Sequence, residues 1–374
     1  MDIITLGLGH YQLREQIAGS AYGVIWRATG PHGTGDVALK LVNQGQMSRA
    51  LPAQRERWIA SARSEIAFLQ SLEPWDERHI VRLLDSGWHE GLPVLALELL
   101  DGDLARYMSE HKSLPFAQVL EWICQLNQAL AKVHQYGWRY LDLKPANVLV
   151  DARLGAVKLA DFGTNRRLDA LHAHTYSGTA NWQAPEQFFP APGGGYATGV
   201  QSDYFALGAL FYYLVSGGTA LSYCTACGQA YREQLADGAQ SLLATHGGIP
   251  PTLQADEEAR FIHGLPPRAA DPALTLLRAL LAPIPAERPR HALQISRQLA
   301  TLRAALADTS VSVPAAPETS ARVRSAHAGA APHVPATPLP HLTAIGRDAS
   351  LCSSASAPAL RHFGRPSDGW RVSA

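Results

Sequence analysis

The string Tyr140-Leu-Asp-Leu-Lys-Pro-Ala-Asn147 sets a carboxylate, an ammonium and an amide in one turn-forming stretch. Asp161-Phe-Gly163 adds a second carboxylate after a short apolar run. Phosphoryl transfer needs this set: one carboxylate to accept a hydroxyl proton, another to hold Mg²⁺, an amide for a further metal position, and a cation near the moving phosphoryl group. Each residue alone is an ordinary turn residue; the order and spacing carry the reading. Flanking β-rich runs, Asn147 to Val150 and Val157 to Ala160, supply the scaffold. A hairpin built from them holds the two turns side by side and aims both acids at one spot.

Such chemistry needs a buried framework, and the composition allows one. The 374 residues are 47% hydrophobic and 17% charged, with a formal net charge of zero. That length fits a two-lobed enzyme with an appendage. No global field argues for nucleic acid or an anionic membrane as partner. Only five of the 32 basic residues are lysines, and Lys40 and Lys144 both fall in the stretches singled out here. The four cysteines are too few for a disulfide framework. Met1 to Thr5 lack the features of a secretory signal. The longest apolar run, Phe205 to Val215, is too short to span a bilayer. A soluble, cytoplasmic protein is expected.

Upstream residues offer the phosphate contacts. Ile17-Ala-Gly-Ser-Ala-Tyr-Gly-Val-Ile25 lies between two strand-like runs, and its glycines would let backbone N–H groups approach phosphates. A plain hairpin turn is the simpler alternative. Val37-Ala-Leu-Lys40 is an extended run ending in lysine, and Arg63 to Leu72 carries Ile66, Leu69 and Leu72 near helical spacing with Glu65 beside that face. His79 to Asp85 and Val94 to Leu100 read as strands separated by a Glu90-Gly91 turn. Pro115 to Gly137 reads as a helix that delivers the chain to Tyr140.

In this order and spacing the stretches resemble the eukaryotic-type Ser/Thr protein kinases over roughly residues 11–302. The Arg-over-Lys bias would suit a bacterial member. The resemblance implies an α+β, two-lobed protein-kinase-like fold: a small β-rich N-lobe at 11–100, a mostly helical C-lobe at 101–306, and a disordered Ala/Pro/Ser-rich tail at 307–374. It implies ATP and Mg²⁺ (Mn²⁺ as a substitute) as cofactors and protein Ser/Thr hydroxyls as acceptors. Nucleotide binding would fall to Ile17, Ala18, Gly19, Ser20, Gly23, Ile25, Lys40, Glu65, Glu98 and Leu100, with Ile25 covering the adenine and Leu97 behind it. Asp142 would be the base, Lys144 the γ-phosphate cation, and Asn147 and Asp161 the metal-binding pair. Thr179 would bond near Asp142 and Lys144, Glu186 would pair with Arg288, and Asp203 would accept hydrogen bonds from the catalytic loop.

The chain departs from the family in two places. Aligned on Tyr22 and Gly23, the first two loop glycines become Ala18 and Ser20, with Gly19 one position off. The family's His-Arg-Asp is Tyr140-Leu141-Asp142, so Tyr140 takes the packing role. With Leu141 the buried arginine that an activation-segment phosphate neutralises is missing, and activity independent of such a phosphate is expected. These departures favour one alternative, a pseudokinase acting as a nucleotide-binding or scaffold protein. A small-molecule kinase is a second, but Ala184-Pro-Glu186, Asp203 and Arg288 form a peptide-binding apparatus such enzymes lack. Cys224-Thr-Ala-Cys227 could be half a zinc site or a redox pair; without a second half it reads as helix-packing or loop thiols.

Overall fold

The computed structural model describes residues 2–19, 23–31, 33–170 and 178–307. Ser20, Tyr22, Thr175, Ser177 and the tail from 308 onward lie outside the described residues, and with them the expectation of a disordered tail. The N-terminal region is a sheet of β1 (Ile3–Leu6), β2 (Gly9–Gly19), β3 (Gly23–Thr29), β4 (Asp36–Val42), β5 (Leu83–His89) and β6 (Leu92–Glu98). The strands are antiparallel in the order β1-β2-β3-β4-β6-β5. The helices α1 (Gln44–Met47) and α2 (Pro52–Ser71) interrupt it between β4 and β5.

Side chains alternate across a strand, so this sheet has two apolar faces. Val37, Leu39, Val94 and Ala96 join Ile4, Leu6, Tyr11 and Ala28 in an outer core. Ala38, Leu95 and Leu97 turn the other way into the main core, with Ile25 packed alongside. Lys40 lies opposite both Ile25 and Leu95 in the ladder, and so emerges on that second face. The strand expected at His79 to Asp85 is displaced. His79 ends a short 3₁₀ turn, Val81 N donates to Leu159 O at 2.8 Å, and the strand proper begins at Leu83. Ile80 and Val81 are buried in the main core, which ties this stretch to the helical region. The expected turn is in place, with Glu90 and Gly91 both at positive φ.

The chain then runs through β7 (Gly102–Asp103), α3 (Leu104–Glu110), α4 (Phe116–Gln135), β8 (Trp138–Arg139), β9 (Val148–Asp151), β10 (Ala156–Leu159) and β11 (Arg166–Arg167). The remaining helices are α5 (Pro185–Phe188), α6 (Val200–Val215), α7 (Ser222–Gln234), α8 (Gly238–His246), α9 (Ala255–His263), α10 (Pro267–Leu280) and α11 (Ala292–Ala307). Helix α4 is apolar along one broad face and stops at Gly137, whose φ of +80° suits glycine. Nearly every residue of α6 is buried, so its apolar run is core helix. The predicted hairpin forms: Val150 faces Val157, and Leu149 faces Lys158. Among the described residues no helix is long and apolar enough to cross a membrane.

Candidate active site

Lys40 Nζ reaches both Glu65 oxygens, at 3.0 and 2.7 Å, and Asp161 Oδ1 at 2.8 Å. Glu65 gets there because α2 turns Glu65, Phe68 and Leu69 inward together. The same face carries Ser61, whose hydroxyl donates to Gly163 O, and Ser64, which bonds Asn165 Oδ1 at 3.2 Å. Phe68 packs on Phe162 with centroids 4.6 Å apart, and Phe162 N–H donates to Glu65 at 3.1 Å. Helix α2 thus grips the Asp161-Phe-Gly turn and the residues just after it through four side chains, Ser61, Ser64, Glu65 and Phe68. Burial alone would lower the pKa of Lys40, but the two carboxylates more than reverse it and keep the ammonium protonated. Lys40 in turn holds Asp161 below the usual carboxylate range, whereas desolvation pushes the deeper Glu65 upward.

The second turn is as tightly tied. Asp142 Oδ2 accepts from Lys144 Nζ at 2.8 Å and from Asn147 Nδ2 at 2.9 Å, and Oδ1 accepts from Thr179 Oγ1 at 2.8 Å. Lys144 Nζ also donates to Thr179 Oγ1 at 2.6 Å. Burial raises the Asp142 pKa, with Lys144 and Thr179 opposing it. Leu141, next to this acid, has φ of +67°, and Asp161 has +58°, conformations that non-glycine residues rarely hold. Surrounding groups over-determine Leu141: its N–H donates to Asp203 Oδ1 at 2.7 Å and its carbonyl accepts from Gln187 Nε2 at 3.0 Å. Asp203 Oδ2 takes the Tyr140 N–H at 2.9 Å and contacts His134 Nε2 at 2.8 Å. Tyr140 is fully buried, and its hydroxyl donates to Ala160 O, stitching one turn to the other.

Further out, Arg288 forms a bidentate pair with Glu186 at 2.8 and 2.9 Å. A cleft of about 860 Å³ brings together Gly23, Lys40, Glu65, Asp142, Lys144, Asp161 and Thr179. Of the other expected nucleotide contacts, Ile17, Ala18, Gly19, Ile25, Glu98 and Leu100 do not line that cavity. Ala18 and Gly19 pair with Ile25 and Val24 at the β2–β3 end, Ile17 is exposed, and Ser20 lies outside the described residues. Glu98 ends β6; its N–H is taken by Arg82 O at 3.0 Å and its carboxylate by Lys158 at 2.5 Å. Leu100 follows, half-buried. Cys224 and Cys227 sit buried on α7, where burial pushes both thiols up, Cys227 to about 12. They belong to the packing. Sequence reasoning missed Ser61, Ser64, His134, Gln187 and the Glu98–Lys158 pair. Ser61 and Ser64, four and one residues before Glu65, were the one available hint.

The protein kinase domain family matches residues 11–298. The chain belongs to the protein kinase family. Its members use ATP and a divalent metal, typically Mg²⁺, and the kinase's own residues fit such an ion. Asp161 is kept ionised and its side chain is 47% exposed to the cleft. Asn147 Nδ2 is committed to Asp142, and among the described residues its Oδ1 accepts no hydrogen bond. No cluster of three His, Cys, Asp or Glu side chains suited to a metal occurs among the described residues. Mg²⁺ needs none, since one or two protein ligands plus phosphate oxygens and water suffice.

Proposed function

We propose that the kinase is Ser/Thr-specific, cytoplasmic and catalytically active, transferring the γ-phosphate of ATP to protein hydroxyls, its own among them. The observation that carries this is the closed set Asp142–Lys144–Thr179, with Asn147 behind it. In this reading Asp142 orients the acceptor hydroxyl and takes its proton, and a pKa raised by burial makes it a better base. Lys144 is close enough to Asp142 to neutralise charge on the transferring group while the acid holds the acceptor. Lys40, fixed by Glu65, holds the α/β-phosphates, and the backbone of Glu98 to Leu100 meets the base. Asp161 and Asn147 would hold a divalent ion, whose charge would offset that of the phosphates.

Activity without activation-segment phosphorylation is part of the proposal. It is supported by Leu141, which carries no charge, and by an ion-pair network already closed in the unmodified chain. The test is transfer of labelled γ-phosphate from Mg·ATP by the wild type and by Asp142→Asn, followed by phosphoamino-acid analysis. Label on serine or threonine, reduced about 10²–10⁴-fold in the variant, is expected. Nucleotide binding without transfer by the wild type would favour the scaffold alternative. Thr175→Ala and Ser177→Ala are expected to keep turnover; its loss together with a demonstrated phosphate at either site would overturn independence.

A further inference from the structure

The sheet of the N-terminal region curls until its two ends meet. Strand β1 opens the order and β5 closes it. Yet the Leu6 side chain lies over Gly87, where an added Cβ would come within 3.0 Å of it, and Leu8 N–H reaches Asp85 at 2.7 Å. The outer core fills the inside of this roll. At one end the filling stops short, and a hollow of about 570 Å³ opens among the strand ends. Ile4 and Val42 are buried there, and the half-buried Leu13, Trp26 and Leu41 line it. Barrel mouths are common ligand sites, and this volume lies within the roughly 300–1,000 Å³ of small-molecule pockets.

The rim of the hollow carries one sign of charge. Asp2 and Glu90 stand on it, and among the described residues no lysine or arginine lines it. Asp2 is exposed, and its carboxylate has no partner among the described residues. Glu90 accepts from a neutral donor, Gln44 Nε2, at 2.7 Å. His89 completes the rim and, when neutral, adds an acceptor without adding charge. An apolar floor with an indole in it, beneath carboxylates that no cation offsets, suits a cation with an apolar body. The body would replace water over Leu13, Trp26 and Leu41, and the charge would sit at the rim or on the indole face. The chain's first residues supply this chemistry: Asp2 and Ile4 precede the family match, which begins at residue 11.

We propose that this mouth binds a small organic ammonium with an aromatic body, and that the bound cation tightens the nucleotide cleft. The wall between the two cavities is thin: Leu41 and Val42 line both. Val24 and Leu41 face each other across the β3–β4 ladder, directly after Gly23 and Lys40. Side chains alternate across a strand, so Val24 and Leu41 point away from the face that carries Lys40. A body packed on Val24 and Leu41 from the mouth therefore braces the strands that present Gly23 and Lys40 to the cleft. Only this second effect rests on the nucleotide reading of the cleft.

The test uses the full chain and 2-phenylethylamine as probe. The controls, at equal ionic strength, are 3-phenylpropionate (ring with a carboxylate) and ammonium chloride (charge without a ring). At about 10 mM the amine is expected to raise Tm by about 2–3 °C for a millimolar site, and neither control should. The double variant Asp2→Asn/Glu90→Gln changes two exposed side chains, leaves the core intact, and should lose the rise. No rise with the amine, an equal rise with phenylpropionate, or a rise undiminished in the variant overturns the site. So does a concentration-dependent dimer that the same variant dissociates, since the mouth would then belong to a second copy. In titrations with Mg·ATP the amine should lower Kd about fivefold for the wild type and leave the variant unchanged. A wild-type Kd that the amine does not move overturns the coupling. A chain that melts higher with amine but binds no nucleotide counts against the nucleotide reading, and the site stands.

Discussion

Asp142 is 6% exposed and keeps its carboxylate where burial opposes the charge. Its pKa is raised, so as pH falls it takes up a proton earlier than an ordinary aspartate would, and a protonated base cannot accept the hydroxyl proton. The acidic limb of the kcat–pH profile should therefore lie above the usual carboxylate range. Lys144 lowers the same pKa, so Lys144→Met should move that limb to still higher pH, besides reducing kcat. A profile from about pH 5 to 8 checks both; a limb that stays put would remove Asp142 as the titrating group. The identities of Lys40, Glu65, Asp142, Asn147 and Asp161 were legible because the chemistry restricts residue type and the turns restrict spacing. Arg139 was not. In Trp138-Arg-Tyr-Leu141 nothing distinguishes a surface arginine from a buried one, since the strand residue that faces Arg139, Arg166, comes 27 positions further on.

Among the elements, α5 and the turn before α11 are joined by Glu186 and Arg288, whose side chains are 13% and 0% exposed. Ser202 on α6 donates to the same carboxylate at 2.6 Å. Removing one partner of such a pair strands the other, so Arg288→Ala should cost about 3–5 kcal/mol in urea unfolding, with little change in nucleotide affinity in the folded fraction. A loss below about 1 kcal/mol would make the pair incidental. The hairpin β9–β10 and the inward face of α2 could be read from alternation and helical spacing. The stretch from His79 could not. Its apolar residues suit a strand equally well in the sheet or laid against β10, and Val81 is drawn to Leu159 by contacts far apart in sequence.

For the molecule as a whole, the sheet with two buried faces explains a feature outside the family match. Strand β1 precedes residue 11, yet Ile4 and Leu6 are 1% and 8% exposed and help close the outer core. Beside them Tyr11 donates its hydroxyl to Asp85 at 3.0 Å, and Leu8 N–H reaches the same carboxylate at 2.7 Å. Deleting residues 1–8 should lower stability by about 3–6 kcal/mol, from two buried aliphatic side chains lost. Unchanged melting would mean that the outer core closes without β1. In the helical lobe, Cys124 on α4 and Cys224 and Cys227 on α7 are buried, with thiols pushed far from ionisation. A thiol reagent needs thiolate and access, and the closed lobe offers neither. Their alkylation is thus a clock for transient opening: equal rates on the two helices mean that the lobe breathes as one body, and a faster pair on α7 means that it peels away first.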